Sequence, residues 1–277
     1  MPARPTWKGY LKISLVNIPV KVFPATDAGA TLSFNQLHAK CQTRIQQKRW
    51  CPHCQREVPN TDVVKGYEFE KGRYVVVDDE DIAKVRVEST RVINLEKFTD
   101  AEAIDPIYLE RPYYLAPDGP VAKDAFAVVR EGMKGKAGIG KVALYGREYL
   151  IKVQPYGRGL VMYTLRHASE IRSIDTIDEL ADMPSTVKPD EVKLVRQVIG
   201  TFEGDLDFAS YQDAYQASLR EIIDAKIEGR EIVVQEVEAP AKVVNLMEAL
   251  RKSLDSISAS KKTSKSRGAS LSKRRTA

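Results

Sequence analysis

Four side chains within a short stretch carry the sharpest chemical signal in the chain. His38 and Cys41 are separated by two residues, and Cys51 and Cys54 repeat that spacing. A pair of soft donors so spaced can hold one ion through a tight turn, and two such pairs complete a tetrahedron. His38, Cys41, Cys51 and Cys54 therefore read as a Cys3His site for a structural Zn2+. Three thiolates and an imidazole leave no position for water, which argues against hydrolysis at the metal. His53 is the substitute for His38, although its place inside Cys51-Pro-His-Cys54 makes simultaneous closure awkward. The plainer alternative is buried free cysteines beside an incidental histidine. Arg44, Lys48 and Arg49 lie between the pairs, where they can touch phosphates or stand as solvated loop charges.

Other catalytic chemistry finds little to work with. Outside the knuckle the chain has one histidine, His167, in Leu165-Arg-His-Ala-Ser-Glu170. Adjacency in sequence is not triad geometry, so a surface or strand-end histidine is the simpler reading. The glycines at 132, 135, 138 and 140 lack the Gly-Lys-Ser or Gly-Lys-Thr ending of a phosphate loop, and there is no Gly-x-Ser-x-Gly elbow. A non-enzyme is expected.

Charge is divided unevenly along the chain. Residues 256–277 hold seven basic residues (Lys261, Lys262, Lys265, Arg267, Lys273, Arg274, Arg275) and no acidic one. Removing those seven from 43 leaves 36 basic residues against 38 acidic ones, so the tail carries the whole excess. Its Ser, Thr, Ala and Gly content cannot offset the entropy of ordering, so it reads as disordered, and such basic blocks commonly bind nucleic acid. The body is ordinary for a globular protein at 43% hydrophobic and 29% charged residues. Its longest apolar runs, 125–129 and 74–77, are too short to cross a bilayer, and the first residues lack the apolar region of a signal peptide. Three clustered cysteines fit a reducing cytoplasm better than a disulfide framework.

The elements that must position these groups begin with strands. Apolar residues fall at odd positions in Leu11, Ile13 and Leu15 and at even ones in Val16, Ile18, Val20 and Val22. A bulge near residue 15, in one long bent strand, accommodates this phase flip. Residues 67–77 read as a hairpin turning at Gly72, and the carboxylates of 78–81 favour the start of a short helix. Val121, Ala125, Val128, Val129 and Met133 predict a helix over 121–133. Residues 142–144, 149–153 and 160–165, separated by Gly-containing turns, read as an antiparallel meander, and such runs argue for a barrel or curved sheet. After about residue 185 the pattern becomes helical. Pro189 opens a stripe of Val192, Val195, Val198, Ile199 and Phe202, and Tyr211, Tyr215, Leu219, Ile222 and Lys226 continue it. Pro240 opens a last helix with Val243, Met247, Leu250 and Leu254 on one stripe.

The opening Trp7-Lys-Gly-Tyr-Leu-Lys-Ile-Ser-Leu-Val-Asn-Ile-Pro-Val-Lys-Val22 resembles the start of bacterial Ku proteins, a Trp-x-Gly followed by Leu-Val-x-x-Pro-Val. Phe34-Asn-Gln-Leu-His38, the Cys51-x2-Cys54 knuckle, Lys141-Val-Ala-Leu-Tyr-Gly-Arg147, Gln154-Pro-Tyr-Gly-Arg-Gly-Leu160 and Leu165-Arg-His-Ala-Ser-Glu-Ile171 look like further landmarks of that family in the right order. The resemblance covers about residues 6–255. It implies a mixed β + α protein: a Ku-type β-barrel core over 1–187 with a zinc-knuckle insertion at 38–54, and a helical dimerisation arm over 188–235. A partner-docking helix over 236–255 and a disordered basic tail over 256–277 follow. A homodimer of this kind would ring the ends of double-stranded DNA in non-homologous end joining. It would recruit an ATP-dependent DNA-repair ligase through Val243, Met247, Leu250 and Leu254. Arg130, Lys134, Lys136, Lys141, Arg147, Lys152 and Arg158, around the glycine-rich turns, become candidate phosphate contacts. A cytoplasmic, nucleoid-associated protein is implied, with no membrane partner. The reading from another class is a zinc-knuckle nucleic-acid-binding factor in transcription or RNA metabolism, and a hydrolase using His167 is the third.

Overall fold

In the computed structural model, which describes residues 3–230 apart from 28, 30, 86–90 and 145, the phase flip near residue 15 is a reversal of the chain and not a bulge. Strand β1 (Trp7–Ile13) turns back through Ser14 and Leu15 into β2 (Val16–Pro24), with Ile13 opposite Val16 and Leu11 opposite Ile18. In a hairpin with a two-residue loop an odd position always faces an even one, so both apolar sets lie on one side of the sheet. Ser14 adopts the left-handed backbone (φ 54°) that such a turn demands.

Short elements follow before the main sheet resumes. Strands β3 (Trp50–Cys51) and β4 (Arg56–Glu57) pair antiparallel, as do β5 (Lys65–Glu70) and β6 (Arg73–Val77). The second hairpin turns at Gly72 (φ 78°), as its sequence predicts. Helix α1 (Asp79–Val85) carries Asp79, Glu80 and Asp81 in its first turn, where carboxylates complement the exposed N–H groups. The chain then builds β7 (Val92–Asp100), β8 (Leu109–Pro117), α2 (Pro120–Gly132), β9 (Lys136–Leu144), β10 (Arg147–Tyr156) and β11 (Gly159–Leu165).

Seven of these strands close a barrel in the order β1-β2-β8-β11-β10-β9-β7. Each successive neighbour in that order is antiparallel, and six reversals return β7 to the direction of β1. The closing pair can therefore only be parallel, and it is, with Leu11 opposite Ile93 and Ile13 opposite Leu95. Leu11, Ile18, Val20, Val22, Ile93, Leu115, Ile151, Val153, Leu160 and Met162 fill the interior. Helix α2 completes that core in contact with β2, β8 and β10. Its limits match the sequence reading, but its inner face does not. Ala122, Phe126 and Met133 are buried with Val129 against them, whereas Val121 and Val128 are largely exposed. The apolar residues of this helix spread over more than one face, and packing selects the stripe that carries the aromatic ring.

Two positions in the wall show how tightly it is built. A β-bulge between Leu95 and Lys97 brings β7 onto β9, and a Cβ at Gly140 would lie 1.8 Å from the Asn94 carbonyl oxygen. Lys152 lies between Ile151 and Val153, which point into the core, and so it faces the other way. It is nonetheless buried, and its ammonium donates to the Ala101 carbonyl at 2.7 Å. Burial holds its pKa below the ordinary lysine value. As a phosphate contact Lys152 is therefore corrected: its charge is withdrawn from the surface.

The chain divides into two compact units at Ser173 and Ile174. The second, by itself, contains α3 (Asp178–Ala181), α4 (Pro189–Phe202) and α5 (Ala214–Ile227), with Pro in the first turn of α4 and Asp213 capping α5 through the Gln216 N–H at 3.0 Å. No helix among the described residues is long and apolar enough to cross a membrane. The last helix predicted from Pro240, and the basic tail, lie outside the described residues.

Gly140→Val should be among the most damaging changes in the wall, lowering unfolding free energy in urea by about 3 kcal/mol or more, because its methyl groups meet backbone that cannot yield. Gly132→Ala, where an added Cβ meets nothing within 4 Å, should stay within about 1 kcal/mol of wild type; equal effects would show that the close approach is not a constraint. Lys152 yields a second test, in pH. Its folded pKa is lowered, so just below the ordinary lysine value the unfolded chain binds more protons, and stability rises with pH toward that value. Relative to Lys152→Met, the wild type should gain stability as pH rises toward about 10; a constant difference would place the ammonium in water.

Candidate functional site

Two small turns present the sulfur and imidazole donors. Leu37 and Arg44 form an isolated bridge, inside which His38 N donates to Thr43 O at 2.9 Å and Gln42 N to His38 O at 2.8 Å. That turn sets His38 Nδ1 3.0 Å from Cys41 Sγ. The second turn links β3 to β4, with Cys51 opposite Arg56, and Cys54 N donates to Cys51 Sγ at 3.5 Å. His53 Nδ1 lies 4.0 Å from Cys54 Sγ. Donation from the Thr43 hydroxyl and N–H, and then from His38, lowers the Cys41 thiol to about 7. Donation from the Cys54 N–H lowers Cys51, while Cys51 raises its neighbour Cys54. The thiolate, the form that binds metal, is thus favoured at one sulfur of each turn.

The structure brings together His38 with Cys41 and Cys51 with Cys54, but not the four at once. Among the described residues no group of three or more His, Cys, Asp or Glu side chains is arranged to hold a metal ion. The four residues are of the donor types that a closed zinc site uses, and each pair lies close together in its own turn. Cys41 and Cys54 are exposed and Cys51 half-buried, so the alternative of buried thiols does not describe them.

The basic candidates separate by what their charges touch. Lys48 pairs with Glu57 at 2.6 Å and so ties the knuckle to β4. Lys134 pairs with Glu131 at 2.5 Å, Lys136 with Asp100 at 2.6 Å and Lys141 with Glu148 at 2.9 Å. Arg130 donates to Gly157 O at 2.9 Å and lies 3.5 Å from Glu131. Among the described residues Arg44, Arg49, Arg147 and Arg158 have no carboxylate partner. Exposed pairs of this kind contribute about 0–1 kcal/mol each, so a phosphate can compete for the paired lysines too.

A cavity of about 660 Å³ at one end of the barrel is lined by Arg111, Arg147 and His167, by Glu110, Glu148 and Glu170, and by Ile82 and Val85 of α1. His167 caps the turn Ala168–Glu170, and Glu170 accepts its backbone N–H at 2.6 Å. The carboxylate near His167 is thereby committed to the backbone. In the second unit Ile199 and Phe202 at the end of α4, Phe208 and Tyr211 in the connection, and Tyr215 and Ile227 on α5 are all exposed. Val243, Met247, Leu250 and Leu254, and the basic residues Lys261, Lys262, Lys265, Arg267, Lys273, Arg274 and Arg275, lie outside the described residues. Sequence reasoning missed the stacked rings of Tyr114 and Tyr156, whose centroids are 5.8 Å apart. Tyr156 was legible only as part of a turn, because its partner comes from a strand two places away in the sheet.

Comparison with known proteins places this geometry. Residues 12–194 match the family model described as Ku70/Ku80 beta-barrel domain. A non-homologous end joining protein Ku of Acidobacterium capsulatum is 38% identical over 232 residues, covering 82% of this chain and 76% of that relative. Proteins of the same description from Koribacter versatilis and Archaeoglobus fulgidus are each 34% identical, covering 82% of this chain and 77% and 89% of their own lengths. A family match that runs from the end of β1 through β11 and into α4, together with relatives 34–38% identical over most of the chain, means that the chain belongs to the Ku family.

Proposed function

We propose that this chain binds the ends of double-stranded DNA without reading sequence and acts in non-homologous end joining as a scaffold rather than an enzyme. Membership of the Ku family carries the reading, since the relatives that match 82% of the chain are named for that process. Binding of this kind depends on backbone phosphates, so it needs dispersed cations that a duplex can reach. The guanidiniums of Arg44, Arg49, Arg147 and Arg158, which have no carboxylate partner among the described residues, are the best placed to supply them, with Lys48, Arg130, Lys134, Lys136 and Lys141 released from weak surface pairs.

Two chains would be needed to ring a duplex. The exposed apolar residues of α4, α5 and their connection support a homodimer, because so many large apolar side chains within one short segment are normally covered by a partner. Beyond the described residues, the stripe of Val243, Met247, Leu250 and Leu254 would dock an ATP-dependent DNA-repair ligase, and the basic tail would add phosphate contacts. Zn2+ held by His38, Cys41, Cys51 and Cys54 would serve folding, by tying two turns that share little apolar core.

The end-binding reading is tested by comparing linear duplex with a closed circle of the same sequence. The protein should bind the linear form, and should stay trapped when that form is circularised after binding. Equal affinity for a preformed closed circle would favour the transcription or RNA-metabolism alternative. Elemental analysis tests the metal separately. About one zinc per chain is expected, and Cys51→Ser with Cys54→Ser should release it and lower the melting temperature. A fully folded wild type without metal would overturn the zinc proposal and leave end binding untouched.

A further inference from the structure

The geometry points to the Tyr114–Tyr156 pair as a stacking platform for unpaired bases of the single-stranded overhang at a broken DNA end, an inference that rests on the end-binding reading above. The two rings come from β8 and β10, which are not neighbours: β11 runs between them. They meet because Tyr156 stands opposite Gly159, where β11 carries no side chain, while Tyr114 stands opposite the buried Val161. The planes are within 20° of parallel. Stacking covers one face of each ring, yet Tyr114 remains 41% and Tyr156 58% exposed.

The surroundings complement a phosphate-bearing strand. Arg158 projects from the tip of the β10–β11 turn, between Gly157 (φ 53°) and Gly159, with no carboxylate partner among the described residues. Arg130 reaches across to the Gly157 carbonyl at 2.9 Å and fixes that turn against α2. A shallow cavity of about 390 Å³ beside the rings is lined by Tyr114, Leu115, Pro117, Tyr156, Arg158 and Leu160, among other residues, and no carboxylate is in its wall. The larger cavity at the barrel end, by contrast, holds Glu110, Glu148 and Glu170. Aromatic faces beside an unpaired guanidinium accept any base, because every base has a π face. Bases inside a duplex are already stacked on their neighbours, so only an unpaired one can use the platform.

The test uses the full chain and three DNA probes: a blunt duplex, the same duplex with a short single-stranded overhang, and the free oligonucleotide of the overhang. Fluorescence anisotropy should show that wild type binds the overhang duplex more tightly than the blunt one. Tyr156→Ala should weaken the overhang duplex by roughly 5- to 150-fold, as loss of about one base stack does, and leave the blunt duplex unchanged. Tyr156→Phe keeps the ring and should bind as wild type, which separates loss of stacking from loss of fold. An overhang carrying a photoreactive pyrimidine should cross-link to Tyr114 or Tyr156. If Tyr156→Ala weakens blunt and overhang duplexes alike, the ring is a duplex contact and the platform is overturned. An absence of cross-link and of any overhang preference overturns it also. Wild type that binds the free oligonucleotide through these tyrosines but ignores duplex ends would instead sink the end-binding reading and keep the platform.

Discussion

The parallel seam between β1 and β7 is the constraint on which the first unit depends. Seven strands in an otherwise antiparallel ring cannot close in any other way, so β7 must arrive alongside β1 in the same direction. β2 runs against β1 and so ends at the side of the barrel where β7 begins. The chain leaves the barrel after β2 and returns at Val92, on the far side of β1. The knuckle, the β5–β6 hairpin and α1 occupy that excursion, and both of its ends are anchored in barrel strands. Closure also fixes the close contact of β7 with β9, where the bulge after Leu95 leaves room for glycine alone.

Much of this was legible in the sequence, and the failures share a cause. Alternation and glycine turns located β10, β11, the β5–β6 hairpin and α2 within a few residues, but only the end of β9, whose earlier residues include Gly138 and Gly140 and read as a turn. At residue 15 the pattern was read correctly and its meaning was not, since a bulge and a two-residue hairpin both invert the phase. What distinguishes them is a pairing partner, which one strand does not reveal. Helix α2 failed in the same way: Val121 and Val128 have the period of a buried face, and only the neighbouring barrel decides that Phe126 occupies it. Lys152 resembled any surface lysine because its burial comes from the chain near Ala101, distant in sequence.

The candidate site shows the same division between local and distant information. Spacing placed His38 beside Cys41 and Cys51 beside Cys54, because a turn of two intervening residues is a local object. It says nothing of the distance between the turns. Likewise composition could nominate basic residues, but which of them keep an unpaired charge depends on carboxylates such as Asp100 and Glu148, brought in across strands. The family landmarks bridged that gap for function, since they fix an order of elements that no single element carries.

The excursion between β2 and β7 has an entropic consequence. Closing a chain segment costs free energy that grows only with the logarithm of its length, about 0.6 kcal/mol for each doubling. The barrel is therefore almost indifferent to how many residues lie between Pro24 and Val92, provided that both strands keep their register. Such an insertion can be lengthened, shortened or rebuilt with little effect on the wall that holds it. With both ends held in barrel strands, that stretch is freer to change in length than the wall that anchors it.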